Sequence, residues 1–133
     1  MSNNNKPETA RHTVLIVDDD PVAQDILEGH LASEGYNLIL ASSGFQALRY
    51  LEQDQPDLVV LDVMMPHLDG FEVCQRIKAD ERWRHIPVIL ITGFWDQEQM
   101  DRGIVAGAES FLSKPVDGNE LRAQIRLLLE PLE

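Results

Sequence analysis

Cysteine occurs once in the chain, at Cys74, so no internal disulfide can form and the fold must be held by burial of apolar surface. Cations are scarce. Eleven Lys and Arg stand against 23 Asp and Glu, a net charge of -12. That balance excludes a surface built for phosphate backbones, which needs clustered Lys and Arg, and it disfavours anionic membranes. No apolar stretch approaches the roughly 20 residues that span a bilayer, and no secretory signal opens the chain. The cytoplasm is the expected compartment, with no direct nucleic-acid or membrane partner. The four histidines, His12, His30, His67 and His85, are scattered, so neither a metal site nor a phosphodonor is expected from them. Internal linkers and low-complexity segments are absent too.

What is present is a single domain's worth of sequence: 133 residues, 44% hydrophobic, enough for a core without staples. Residues 1–10, polar and holding Asn3, Asn4, Asn5 and Pro7, read as a disordered leader; residues 11–131 read as one domain. Short apolar runs then alternate with helical patterns. Val14-Leu15-Ile16-Val17, Leu38-Ile39-Leu40, Leu58-Val59-Val60-Leu61, Pro87 to Thr92 and Ser110 to Ser113 read as strands. Asp20 before Pro21 reads as a helix cap, and Val22, Ile26, Leu27 and Leu31 as one apolar helical face closed by Gly35. Ser42 or Ser43 opens a second helix, with Ala47, Leu48 and Leu51. Phe71, Cys74 and Ile77 line a third, about Asp96 to Ala106 forms a fourth of low hydrophobicity, and Asp117 caps a fifth with Leu121, Ile125 and Leu128. Five β–α units predict an α/β fold, a five-stranded doubly wound parallel sheet with five helices.

Function is written at the ends of the strands. Asp18, Asp19 and Asp20 follow the first run, and Asp62 ends the third. Ligand sites in open α/β sheets lie outside the carboxyl ends of the strands, so these carboxylates should meet at one edge. Packed carboxylates repel unless a cation or proton neutralises them, and an oxygen-only set suits magnesium. Thr92 and Lys114 end the fourth and fifth strands at the same edge.

The set Val17-Asp18-Asp19-Asp20, Leu61-Asp62-Val63-Met64-Met65-Pro66 with Asp69-Gly70, Ile91-Thr92-Gly93 and Phe111-Leu112-Ser113-Lys114-Pro115 resembles the receiver domain of two-component response regulators, of the chemotaxis-regulator type with flavodoxin-like topology. The resemblance covers Arg11 to Glu130. It implies that Asp62 is the phosphoacceptor, taking a phosphoryl group from a histidine kinase or histidine phosphotransfer protein. It further implies that Mg²⁺ (with Mn²⁺ able to substitute) is held by Asp18, Asp19, Asp62 and the backbone carbonyl of Met64. Lys114 would steady the phosphoryl charge and Thr92 would turn its hydroxyl onto it, with Gly93 leaving room. Thr92 and Phe111 would form the switch. A face of fourth helix, fifth strand and fifth helix would then bind an output domain, a downstream protein or a second copy in a homodimer. Such a module modifies only itself and is not an enzyme in the ordinary sense.

Departures from the family pattern are Phe111, where tyrosine is common, and His67-Leu68, where Gly-Met is common. Met64 and Phe94, two residues after Asp62 and Thr92, flank the path of attacking water and imply a long-lived phosphoryl group. Of the first helix, Gln24, Ile26, Leu27 and Leu31 are the expected kinase-docking residues. Trp83 and Trp95 read as local packing, Trp95 also as a contact on the output face; Arg76, Lys78, Arg82 and Arg84 read as a solvated surface. Competing readings are a haloacid dehalogenase-like phosphatase with Asp18 as nucleophile and Asp20 as acid/base, a flavodoxin-like cofactor binder, and a receiver that only docks. The phosphatase would want an acidic pair where Thr92-Gly93 stands, and three aspartates repel the phosphate a flavodoxin would bind.

Overall fold

Runs that are apolar at every position, not at alternate ones, need a sheet covered on both faces, and the computed structural model, which describes residues 11–130, has one. Strands β1 (Thr13–Val17), β2 (Asn37–Ala41), β3 (Leu58–Asp62), β4 (Val88–Thr92) and β5 (Ser110–Ser113) form a single parallel sheet in the order β2-β1-β3-β4-β5. The proposed leader lies outside the described residues. Helices α1 (Pro21–Leu31), α2 (Gly44–Gln53), α3 (Gly70–Ala79), α4 (Gln97–Ala106) and α5 (Gly118–Leu129) supply the crossovers. Val14, Ile16, Leu58, Val60, Ile89, Ile91 and Leu112 pack with Leu27 and Leu31 of α1 and Leu121 and Ile125 of α5. The intervening residues Leu15, Val17, Val59, Leu61, Val88 and Leu90 pack with α2, α3 and Ala106 of α4. The pleat thus divides each strand between two cores.

Helix starts follow local chemistry. Asp20, Ser43, Asp69, Asp96 and Asp117 each accept a backbone N–H in the first turn, and Asp69 with Glu72 completes a capping box. Of the two serines, Ser43 is the cap; Ser42 instead donates its N–H to Gln46 Oε1. Three expectations are corrected. Val22 and Ile26 are 64% and 51% exposed, so the buried stripe of α1 is only Leu27 and Leu31, which share a core with the strands and with Leu121 and Ile125 of α5. Gly35, with φ 83°, closes the turn after α1 but not the helix, which ends at Leu31. The basic group at the end of α3 and in the loop after it is not simply solvated: Lys78 bonds Glu109 Oε2 at 2.7 Å and the carbonyls of Arg84 and Ile86, and Arg82 bridges Glu52 and Asp80. Charged ends are drawn in there because orphan carbonyls and carboxylates need donors.

Candidate functional site: an acidic pocket at the carboxyl edge of the sheet

The strand order reverses beside β1, with β2 on one side and β3 on the other. Val17 pairs with Leu61, so the next residues along, Asp18 and Asp62, emerge side by side at this switch point. Asp18 is 1% exposed and Asp62 4%; Asp19, one residue further into the loop, is exposed. Carboxylate oxygens of Asp18, Asp19 and Asp62 all lie within 4.8 Å of one another. Thr92, 1% exposed, ends β4 beside them, and its carbonyl accepts the Lys114 N–H at 2.9 Å. That bond swings Lys114 back over the pocket. Its Nζ stands 3.3 Å from Asp18 Oδ2 and 3.2 Å from Asp62 Oδ1. The Lys114–Pro115 bond is cis.

The two buried aspartates are treated differently by their surroundings. Asp18 Oδ1 accepts the Asp20 N–H at 2.9 Å, and its Oδ2 accepts the hydrogen bond from Lys114. Asp62 Oδ1 meets the same ammonium as an ion pair only and is buried without a hydrogen-bond partner. Burial, then the Asp18 charge, push the Asp62 carboxyl up to about 6, against the opposing pull of Lys114 and the Met64 backbone. Burial lowers the Lys114 ammonium, but attraction by Asp62 and Asp18 outweighs it and the net shift is upward. A buried carboxylate oxygen with no donor, facing two further carboxylates, suits a hard cation: the donor set fits Mg²⁺.

Asp18, Asp19, Asp62, Thr92 and Lys114 come together at this edge, and Asp20 spends its carboxylate, as expected, on capping α1 through the Val22 N–H. One role reads differently in three dimensions. Gln24, expected to face a partner, turns its amide inward onto the carbonyls of Asp18 (2.7 Å) and Ala41 (3.2 Å), tying the pocket's loop to the end of β2. With Leu27 and Leu31 buried, Ile26 is the expected docking residue of α1 left at the surface, joined by Val22. Met64 and Phe94 are 69% and 66% exposed on the two loops flanking the pocket.

Behind Thr92 lies an aromatic stack. Trp95 is half-buried, its ring edge-on to Phe111 at 5.4 Å and to Phe71 at 6.4 Å, and its Nε1–H donates to the Leu112 carbonyl at 2.8 Å. Local packing, the first reading of Trp95, is what the structure shows. Phe111 also lies against Gly103 of α4, where any Cβ would come within 2.5 Å of the ring. Gly103 was legible only as a helix residue, since its need arises from how α4 packs on Phe111 of the next strand. Gly70 is a second enforced glycine: a Cβ would strike the Asp62 carbonyl and stand 2.7 Å from Val63 Cα. His67, by contrast, takes a left-handed φ of 69° without being glycine.

A parallel five-stranded sheet with a metal-ready carboxylate trio and a lysine across its switch point is the architecture of a receiver. The response regulator receiver domain model matches residues 14–126, and the chain belongs to that family. It is 40% identical over 116 residues to the DNA-binding dual master transcriptional regulator RpaA of Synechocystis, covering 87% of this chain and 48% of that protein. Response regulator PleD of Caulobacter vibrioides is 43% identical over 115 residues, covering 86% of this chain and 25% of PleD. The chain thus spans half or less of these relatives' length. Among solved structures, a putative response regulator from Chloroflexus aurantiacus superposes with a TM-score of 0.85 at 34% identity, covering 90% of this chain and 98% of that one. Chemotaxis protein CheY4 of Vibrio cholerae gives 0.84 at 26%, over 90% and 99%.

Proposed function

We propose that this receiver is an active phosphoacceptor in a two-component relay and that Asp62 carries the phosphoryl group. The observation behind the proposal is Asp62 Oδ1: buried, without a hydrogen bond, 3.2 Å from an ammonium and at the mouth of a carboxylate trio. In the transfer, an Asp62 oxygen bonds to phosphorus as the phosphorus–nitrogen bond of a donor phosphohistidine breaks, and the imidazole leaves with the electron pair. The protein's share is placement and charge neutralisation. Asp18 and Asp19, with Asp62 and the Met64 carbonyl, would hold Mg²⁺, whose chemistry is to neutralise oxygen charge on the transferring group. Lys114 supplies a fixed point charge to the product, and Thr92, drawn toward the phosphoryl oxygens, links the adduct to Phe111 and the face of α4, β5 and α5. The donor would be a histidine kinase or phosphotransfer protein, and the output a partner protein or domain, in the cytoplasm. The module alters only itself. DNA binding, named for RpaA, is not proposed for this acidic chain.

The test is covalent. Incubation with acetyl phosphate and Mg²⁺ should add one phosphoryl mass to the intact protein. The adduct should be absent in Asp62→Asn and strongly reduced in Asp18→Asn or with chelator. Multiple turnover of a phosphate ester surviving Asp62→Asn would instead favour the phosphatase reading, and an unmodified wild type would favour a receiver that only docks.

A further inference from the structure

The proposed phosphorylation chemistry uses the carboxyl edge of the sheet and leaves unexplained a groove on the three-helix face. A shallow, open groove of about 580 Å³ runs between α2 and α3 over the loop that follows α3, lined by Phe45, Leu48, Arg49, Arg76, Ala79 and Trp83 together with Glu52 and Asp80. Helices run back against the strands, so much of this groove lies toward the edge opposite Asp62. Its floor is apolar: Trp83 is 5% exposed, and Phe45 stands 58% exposed at one wall. Aromatic and arginine side chains together are the composition of interface hot spots.

Charge singles the groove out. The protein carries -12, yet the two acidic lining residues are already spent: Arg82 engages Glu52 at 2.9 Å and Asp80 at 2.8 Å. Arg49 on one wall and Arg76 on the other make no ion pair or hydrogen bond among the described residues, as is also true of the Arg11 and Arg84 side chains, whereas Arg82, Arg102 and Arg126 are each paired with a carboxylate. Two unspent guanidinium groups therefore line one partly apolar groove on an acidic molecule. We propose that the α2–α3 groove docks an acidic peptide segment of a partner protein, its apolar anchors on Phe45, Leu48 and Trp83 and its carboxylates on Arg49 and Arg76. Helix-in-groove recognition is the mode such a trough suits.

The probe is a short fluorescein-labelled peptide of glutamate, leucine and phenylalanine at helical spacing, with a lysine-for-glutamate control. It is titrated into the full chain by fluorescence anisotropy and mapped by amide NMR shifts. The glutamate peptide should bind and shift amides of α2 and α3; the control should not. Arg49→Glu with Arg76→Glu should weaken binding by about tenfold, and Phe45→Ala by a similar factor, with thermal unfolding of these exposed-site variants unchanged. Undetectable binding, equal binding of the lysine peptide, shifts confined to another face, or groove shifts produced by the chain's own concentration-dependent dimerisation would each overturn the proposal. Acetyl phosphate modification of Asp62 in the same variants should stay at the wild-type level, so failure here is separable from failure of the phosphoacceptor reading.

Discussion

The Asp62 carboxylate is buried beside that of Asp18, and without a cation the pair repels. Its carboxyl is raised from 3.8 to about 6 in the folded protein. An acid raised on folding holds more protons when native than when unfolded, so stability falls as pH rises from about 4 to about 6 and the penalty persists above. The full shift corresponds to up to about 3 kcal/mol. Asp62→Asn should therefore melt higher than wild type in chelator at pH 8, with the gap closing below pH 4. Thermal scans across pH check this, and an Asn variant no more stable at pH 8 would contradict it. The shields at the pocket mouth give a kinetic expectation. Met64→Asn combined with Phe94→Glu should admit and orient attacking water, shortening the phosphoryl lifetime by about tenfold or more, read by decay of the phosphorylated mass. At His67 the left-handed φ makes a β-branched residue costly: His67→Val should lose about 1–2 kcal/mol in denaturant unfolding, while His67→Gly should be tolerated.

Among the elements, the β4–α4 connection joins the pocket to β5 through Trp95. Thr92 ends β4; three residues on, Trp95 is fixed by its N–H to the Leu112 carbonyl and by edge contact with Phe111. Phe111 has no hydroxyl, so in this chain the directional bond of the region belongs to the indole. Beryllofluoride with Mg²⁺ should change Trp95 emission in a Trp83→Phe background, and the same addition to Asp62→Asn should leave it unchanged. At α3, Gly70 admits the helix start against the backbone of Asp62 and Val63, so Gly70→Ala should destabilise by about 1–3 kcal/mol and impair phosphorylation together. Strand limits and caps were legible because each rests on local chemistry: apolar runs, aspartate before a helix, proline at its first turn. The exposure of Val22 and Ile26, the inward amide of Gln24 and the pairing of Lys78 with Glu109 were not, because each depends on what lies across the fold. Periodicity tells which residues share a helical face but not how wide a surface that face will meet.

For the molecule as a whole, a cation on the carboxylate trio would offset the repulsion among Asp18, Asp19 and Asp62. Any ligand selective for the native state stabilises it, by about 2.7 kcal/mol at a hundredfold excess over Kd. Mg²⁺ should raise the melting temperature of the wild type by several degrees and that of an Asp18→Asn, Asp19→Asn double variant by little. Asp18, Asp19, Asp62, Thr92 and Lys114 could be placed together from the chain because the ends of four strands, β1, β3, β4 and β5, bring them to one edge. The α2–α3 groove was not, since Arg49 and Arg76 are ordinary helix residues until Glu52 and Asp80 are seen to be taken by Arg82. One feature of the core has a practical reach. Cys74 is wholly buried, its thiol set against the Ala106 carbonyl and pushed up to about 12 by burial. In the folded state it should ignore maleimide and iodoacetamide, so a spin label or fluorophore could be placed on an engineered surface cysteine with the wild-type background left dark.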